Sequence, residues 1–140
     1  MKKNIIVLML LSLLMLLSSC AAALMPYGKW ENAELGMVLD IDPKYYSVRD
    51  FPGFLGTYVI DNEEIDIFVF FSTTHGGFAI WKEIDAPEWS GHNYDLALYR
   101  GTYRWSGEKQ LRLRLDQQSQ ERTGMRGIIF ELIEDYGVSG

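Results

Sequence analysis

From residue 28 onward the chain alternates apolar and polar side chains over short segments punctuated by Gly, Pro, Asn and Asp. The clearest case is Ile65-Asp66-Ile67-Phe68-Val69-Phe70-Phe71-Ser72, where Ile65, Ile67, Val69 and Phe71 share one face and β-branched and aromatic residues dominate. A period of two in such residues predicts a half-buried strand. It follows Gly56-Thr57-Tyr58-Val59-Ile60 across a polar turn at Asp61-Asn62-Glu63, so the two arms read as a hairpin. Forty-five residues on, the plan recurs as Gly101-Thr102-Tyr103-Arg104-Trp105, a turn at Ser106-Gly107-Glu108, and Leu111-Arg112-Leu113-Arg114-Leu115. A hairpin cannot bury its apolar face alone, so the two units are expected to share a core.

The remaining segments read the same way. Gly28-Lys29-Trp30-Glu31 opens a first strand, and Met37, Leu39 and Ile41 share a face in a second. Asp42-Pro43-Lys44 is a turn with Pro at its second position, Tyr45 to Asp50 a third strand, and Pro52-Gly53 its break. Phe78-Ala79-Ile80-Trp81-Lys82 is a further strand, reached through the turn residues Thr73 to Gly77. Tyr94 to Tyr99 is expected to run as a strand into Gly101, which then marks a bend or bulge. Asp116 to Gly124 reads as a polar loop and Gly127 to Ile133 as the last strand. No stretch beyond the first twenty residues has a helical period. The fold class is therefore all-β: an antiparallel meander of about eight to ten strands, whose closure into a barrel removes two exposed edges.

The first twenty residues differ in kind. Met1-Lys2-Lys3 is a short basic start, and Ile5 to Leu17 is a thirteen-residue apolar run broken only by Ser12. That run is short for a membrane span and matches the hydrophobic region of a helical secretory signal. Leu17-Ser18-Ser19-Cys20 follows, an aliphatic residue, two small ones and a cysteine. This resembles the lipobox of bacterial lipoproteins. The resemblance implies that the Cys20 thiol receives a diacylglyceryl group, that the leader is cut before it, that the new amino terminus can be acylated in turn, and that two or three acyl chains, palmitate-like in length, anchor the protein to a membrane. Ala21 rather than Asp after the cysteine implies the outer membrane in a Gram-negative envelope. The domains expected are a signal peptide at 1–19, a lipidated tether at 20–26, the barrel at 27–134 and a tail at 135–140.

Charge narrows the partners. Lys2 and Lys3 are the only charges before Cys20, so of 13 basic and 19 acidic residues, 11 and 19 remain beyond it, a net of −8. Such a balance repels phosphate backbones and argues against nucleic acid. Cys20 is the only cysteine, which excludes a disulfide framework and a thiolate metal site within the chain.

Gly28-Lys29-Trp30, with the hairpins beginning Gly56-Thr57-Tyr58 and Gly101-Thr102-Tyr103, resembles the small lipocalin-like domains of bacterial lipoproteins over most of residues 27 to 134. The resemblance implies a closed antiparallel barrel with Trp30 plugging one end and a pocket at the other. In lipocalins that Trp stacks on an Arg just after the last strand; here Glu134-Asp135-Tyr136 occupy that place, and the nearest Arg is Arg126, before the strand.

Catalytic chemistry finds little support. His75 and His92 each sit near Gly in loops, and a zinc site would need both with carboxylates. Asp40 with Asp42, and Asp61 with Glu63 and Glu64, lack the spacing of a calcium loop. Ser90, His92 and Asp95 could make a triad, yet nothing around Ser90 resembles a nucleophile elbow. Arg104, Arg112 and Arg114 could form a basic stripe, though alternating charges on an outer face usually serve solvation. The expectation is a binding module rather than an enzyme, with no cofactor. It would hold a small apolar or amphipathic molecule at one barrel end, lined by Trp81, Trp89, Tyr94 and Phe78, with His92 in the same long connection, where function concentrates on β scaffolds. The alternative is a solid barrel whose loops bind another envelope protein, as bacterial barrel-shaped inhibitors do.

Overall fold

The computed structural model describes residues 2–19, 25–45, 52–87, 94–105 and 109–137. An N-terminal helix α1 (Lys2–Ser19) precedes eight strands: β1 (Gly28–Asn32), β2 (Met37–Ile41), β3 (Phe54–Ile60), β4 (Glu63–Phe71), β5 (Gly77–Lys82), β6 (Tyr99–Arg104), β7 (Gln110–Leu115) and β8 (Gly127–Asp135). A short helix α2 (Gln117–Thr123) joins β7 to β8. Consecutive strands pair antiparallel, and β1 also pairs β8, so the meander closes into an eight-stranded barrel. Closure satisfies the edge donors and acceptors that an open sheet would leave bare.

The register follows the alternation. Met37, Leu39 and Ile41 of β2, Ile67, Val69 and Phe71 of β4, and Leu111, Leu113 and Leu115 of β7 are all buried and belong to one cluster, the barrel interior. Trp30, Phe54, Phe78, Ile80, Tyr99, Ile128 and Phe130 complete the cluster. Each such aliphatic or aromatic side chain contributes about 1.5–3 kcal/mol on leaving water. Between β3 and β4, Asp61 (φ 51°) and Asn62 (φ 64°) both adopt left-handed backbone. That is the two-residue turn whose twist matches the flanking strands.

Because successive strands run in opposite directions, the start of β1 and the β4–β5 turn lie at one end. The β5–β6 connection and α2 lie at the other. At the first end Trp30, 1% exposed, donates its indole N–H to the Pro26 carbonyl at 2.8 Å, and Met25 and Tyr27 pack on the interior cluster. The segment before β1 is thus folded over the barrel mouth. At the other end Asp116 caps α2, its carboxylate accepting from Ser119 N–H at 2.8 Å, and Gly124 ends the helix in a left-handed conformation (φ 73°).

Four expectations need correction. The Asp116 to Gly124 stretch is not a loop throughout: residues 117–123 form a helix with only Ser119 buried, so it carries no apolar period to betray it. Tyr94 to Tyr99 is not a strand; Tyr94–Leu96 form a 3-10 turn and β6 starts at Tyr99. Gly101 keeps its register with both neighbouring strands, and the bulge lies instead between Lys29 and Trp30. Gly101 and Gly56 mark places of close approach, since a Cβ there would collide with the carbonyls of Arg114 and Val38. Tyr45 ends a 3-10 turn begun at Pro43, and the rest of the expected third strand lies outside the described residues.

Candidate functional site

Strand β5 separates two environments. Phe78 and Ile80 point into the barrel, whereas Ala79 and Trp81 point outward with Phe68 of β4. On most barrels that outer face would meet water. Here the β5–β6 connection folds back over it, and Phe68, Ala79, Trp81, Ala86 and Ala97 form a second buried cluster with Leu55, Phe70 and Tyr94 against it. Trp81 is fully buried and stacks with Phe68 (centroids 6.2 Å) and Tyr94 (5.7 Å). A barrel-end lining by Trp81 and Phe78 together is therefore corrected: the pleat sends them to opposite faces of one strand. Trp89, His92, Ser90 and Cys20 lie outside the described residues.

Beside this cluster, on the outer face of β4, β5 and β6, lies a groove of about 570 Å³. Phe70, Phe78 and Tyr94 border it, with Gly77 at the floor, and Ser72, His75, Arg100 and Asp116 supply polar atoms around it. Phe78 and Tyr94 were both read from the sequence as binding residues; the others were not. A signal for Phe70 was present, because Phe68-Val69-Phe70-Phe71 is apolar on both faces, which a strand wetted on one side has no reason to be. Gly77 leaves the groove open: a Cβ there would meet only the Gly101 carbonyl, at 3.6 Å.

The polar end is fixed by ion pairing. Arg100 donates through Nε to Asp116 Oδ2 at 2.8 Å and through Nη2 to Gln118, and its Nη1 approaches the Tyr94 carbonyl at 3.5 Å and Asp95 at 3.9 Å. Burial would raise the Asp116 carboxyl, but the Ser119 hydrogen bonds and the Arg100 guanidinium outweigh it and hold the group below the usual carboxylate range. Arg122 of α2 donates to the carbonyls of Ala97 (3.0 Å) and Leu98. The helix thereby staples the β5–β6 connection that walls the groove.

Inside the barrel, Tyr58 and Tyr99 share a hydroxyl–hydroxyl hydrogen bond of 2.7 Å, and burial followed by that bond pushes Tyr99 far above its ordinary range. Among the described residues the buried Tyr103 hydroxyl has no hydrogen-bond partner. Gly28, Trp30, Gly56, Tyr58 and Tyr103 do not border the groove, whereas Gly101 lines it from β6. Among the described residues no three His, Cys, Asp or Glu side chains gather as metal ligands, and the Asp95 side chain is 98% exposed.

Fold and groove together define a closed, all-β barrel with an outer groove, preceded by an apolar helix. Comparison with known proteins adds no closer name: no family model, no curated protein and no solved structure matches the chain.

Proposed function

We propose that this is a lipid-anchored, lipocalin-like envelope protein whose barrel carries a small apolar or amphipathic molecule in the outer groove bordered by Phe70 and Tyr94. The groove is the observation that carries this reading. Its volume of about 570 Å³ falls within the roughly 300–1,000 Å³ typical of small-molecule sites, and it pairs an apolar floor with convergent polar groups at Arg100, Asp116 and His75. A rigid two-sided sheet lies beneath it, so little ordering entropy opposes binding.

The anchor rests on the leader. Apolar side chains of α1 from Ile5 to Leu13 are exposed, a surface that water disfavours and a membrane or export machinery accepts. Among the described residues no helix is long and apolar enough to cross a membrane. The reading places attachment on the acyl chains carried by Cys20, two or three of which give a stable anchor. The well-filled interior supports the second reading, a solid barrel that acts through its surface on another envelope protein.

Native mass spectrometry of the acylated protein, purified from its host membrane, separates the two. The first reading expects a co-purifying small molecule that is lost in Gly77→Leu, which fills the groove without a backbone collision. A wild-type spectrum free of adducts sinks it. For the anchor, Cys20→Ser is expected to abolish acyl labelling and membrane fractionation; unchanged labelling refutes that part alone.

A further inference from the structure

The six described arginines divide into two groups. Arg100 and Arg122 are committed to structural partners around α2. The other four, Arg104, Arg112, Arg114 and Arg126, lie together on the outer face of β6, β7 and the start of β8. Arg104 and Arg112 are direct cross-strand partners, and Arg114 is two residues further along the same face of β7. Arg126 borders the same groove as Arg112 and Arg114. Among the described residues none of the four is ion-paired with a carboxylate; Arg112 donates only to the neutral Gln110 Oε1 at 3.1 Å, and Gln110 in turn takes up Glu131. Like charges placed directly opposite in a sheet repel. A chain with a net of −6 nevertheless gathers four arginines here, with Glu34 and Glu131 set across the neighbouring groove that Arg126 and Ile129 also border.

Between these side chains runs a second groove of about 630 Å³, lined by Arg112, Arg114 and Arg126 with Gly127 and Ile129 along its floor. Ile129 is 49% exposed, and Ile133, further down the same strand, is 50% exposed. The face therefore offers guanidinium forks above and bare aliphatic surface below. All four cations are arginines, whose planar donors match phosphate oxygens in pairs as a lysine cannot. We infer that this face docks on the headgroups of anionic phospholipids, with phosphate on Arg112, Arg114 and Arg126 and the glyceryl and upper acyl carbons on Ile129. The inference rests on the lipid-anchored reading for the presence of a bilayer beside the domain. It adds an orientation: the acidic β3–β4 turn, with Asp61, Glu63 and Glu64, belongs to another part of the barrel wall.

The test uses the full chain carrying Cys20→Ser in maltoside micelles, with the arginine Nε–Hε resonances as readout, so that its outcome is independent of acylation. Doping the micelles with phosphatidylglycerol is expected to shift Arg104, Arg112, Arg114 and Arg126 saturably and reversibly with salt, while phosphatidylcholine moves none of them and the paired Arg100 stays still in both. Arg112→Gln/Arg114→Gln/Arg126→Gln is expected to weaken the response by on the order of a hundredfold, judged on the remaining Arg104 signal. These substitutions are on exposed positions, and unchanged amide spectra verify the fold. An equal response to phosphatidylcholine, to inorganic phosphate or to polyglutamate overturns the assignment, as does a triple variant that binds like the parent. Loss of the anchor in cells with this response intact would fault only Cys20.

Discussion

The two faces of β5 teach different lessons about the same strand. Inside, Phe78 and Ile80 belong to a cluster with members from all eight strands, so it is held together by residues distant in sequence. Outside, Ala79 and Trp81 are buried by a connection only a few residues further on, one that is itself stapled by Arg122 and by the Arg100–Asp116 pair. The inner cluster defines the barrel, whereas the outer one shapes the groove wall. Damage to the first is expected to be global and damage to the second local.

The sharpest test of that contrast is Trp30→Ala. It removes a fully buried ring and the bond to Pro26, and about 3–5 kcal/mol of stability should vanish in one cooperative urea transition. Trp81→Ala is expected to cost less, about 3 kcal/mol, because the covering connection can sink into the space. Its signature is early hydrogen exchange at Ala97 and Leu98 while β2 and β7 stay protected; simultaneous exchange of all of them would merge the two clusters into one unit.

Asp116 comes next. Asp116→Ala loses both the helix cap and the partner of Arg100, an expected cost of about 2 kcal/mol. Its folded-state carboxyl lies below its unfolded value, so the stability it contributes is complete above the ordinary Asp range, near pH 4, and is lost as pH falls through the lowered native value. Asp116→Asn keeps the capping oxygen but not the charge, and should flatten that acid limb of the urea midpoint; an unchanged pH profile would show that the pair contributes nothing. The smallest effect expected is a gain. Arg112→Gln removes the repulsion across β6 and β7 and should raise stability by about 0.3 kcal/mol in low salt, a difference that high salt erases.

Strand positions were legible wherever one face alone is buried. Leu111, Leu113 and Leu115 against Arg112 and Arg114 gave β7 its register, and Met37, Leu39 and Ile41 gave β2 its own. Reading failed where burial was not one-sided. Trp81 and Phe78 are both apolar and both buried, so composition could not say that the pleat parts them. The helix α2 escaped because it packs through hydrogen bonds instead of an apolar stripe; its ends were nonetheless written in Asp116 and Gly124. The groove was half visible, through Phe78 and Tyr94, while Arg100, Thr102 and Asp116 come to it only through the pairing of β5 with β6 and the return of the chain from β7.

The bond from Trp30 to Pro26 also bears on mechanics. Tension transmitted through the residues before Pro26 would arrive at the first residue of β1, a strand laddered on both sides, to β2 and to β8. Pulled along its own axis, such a strand must slide past two neighbours at once instead of peeling from one, so a tug from the N-terminal side meets two ladders loaded in shear.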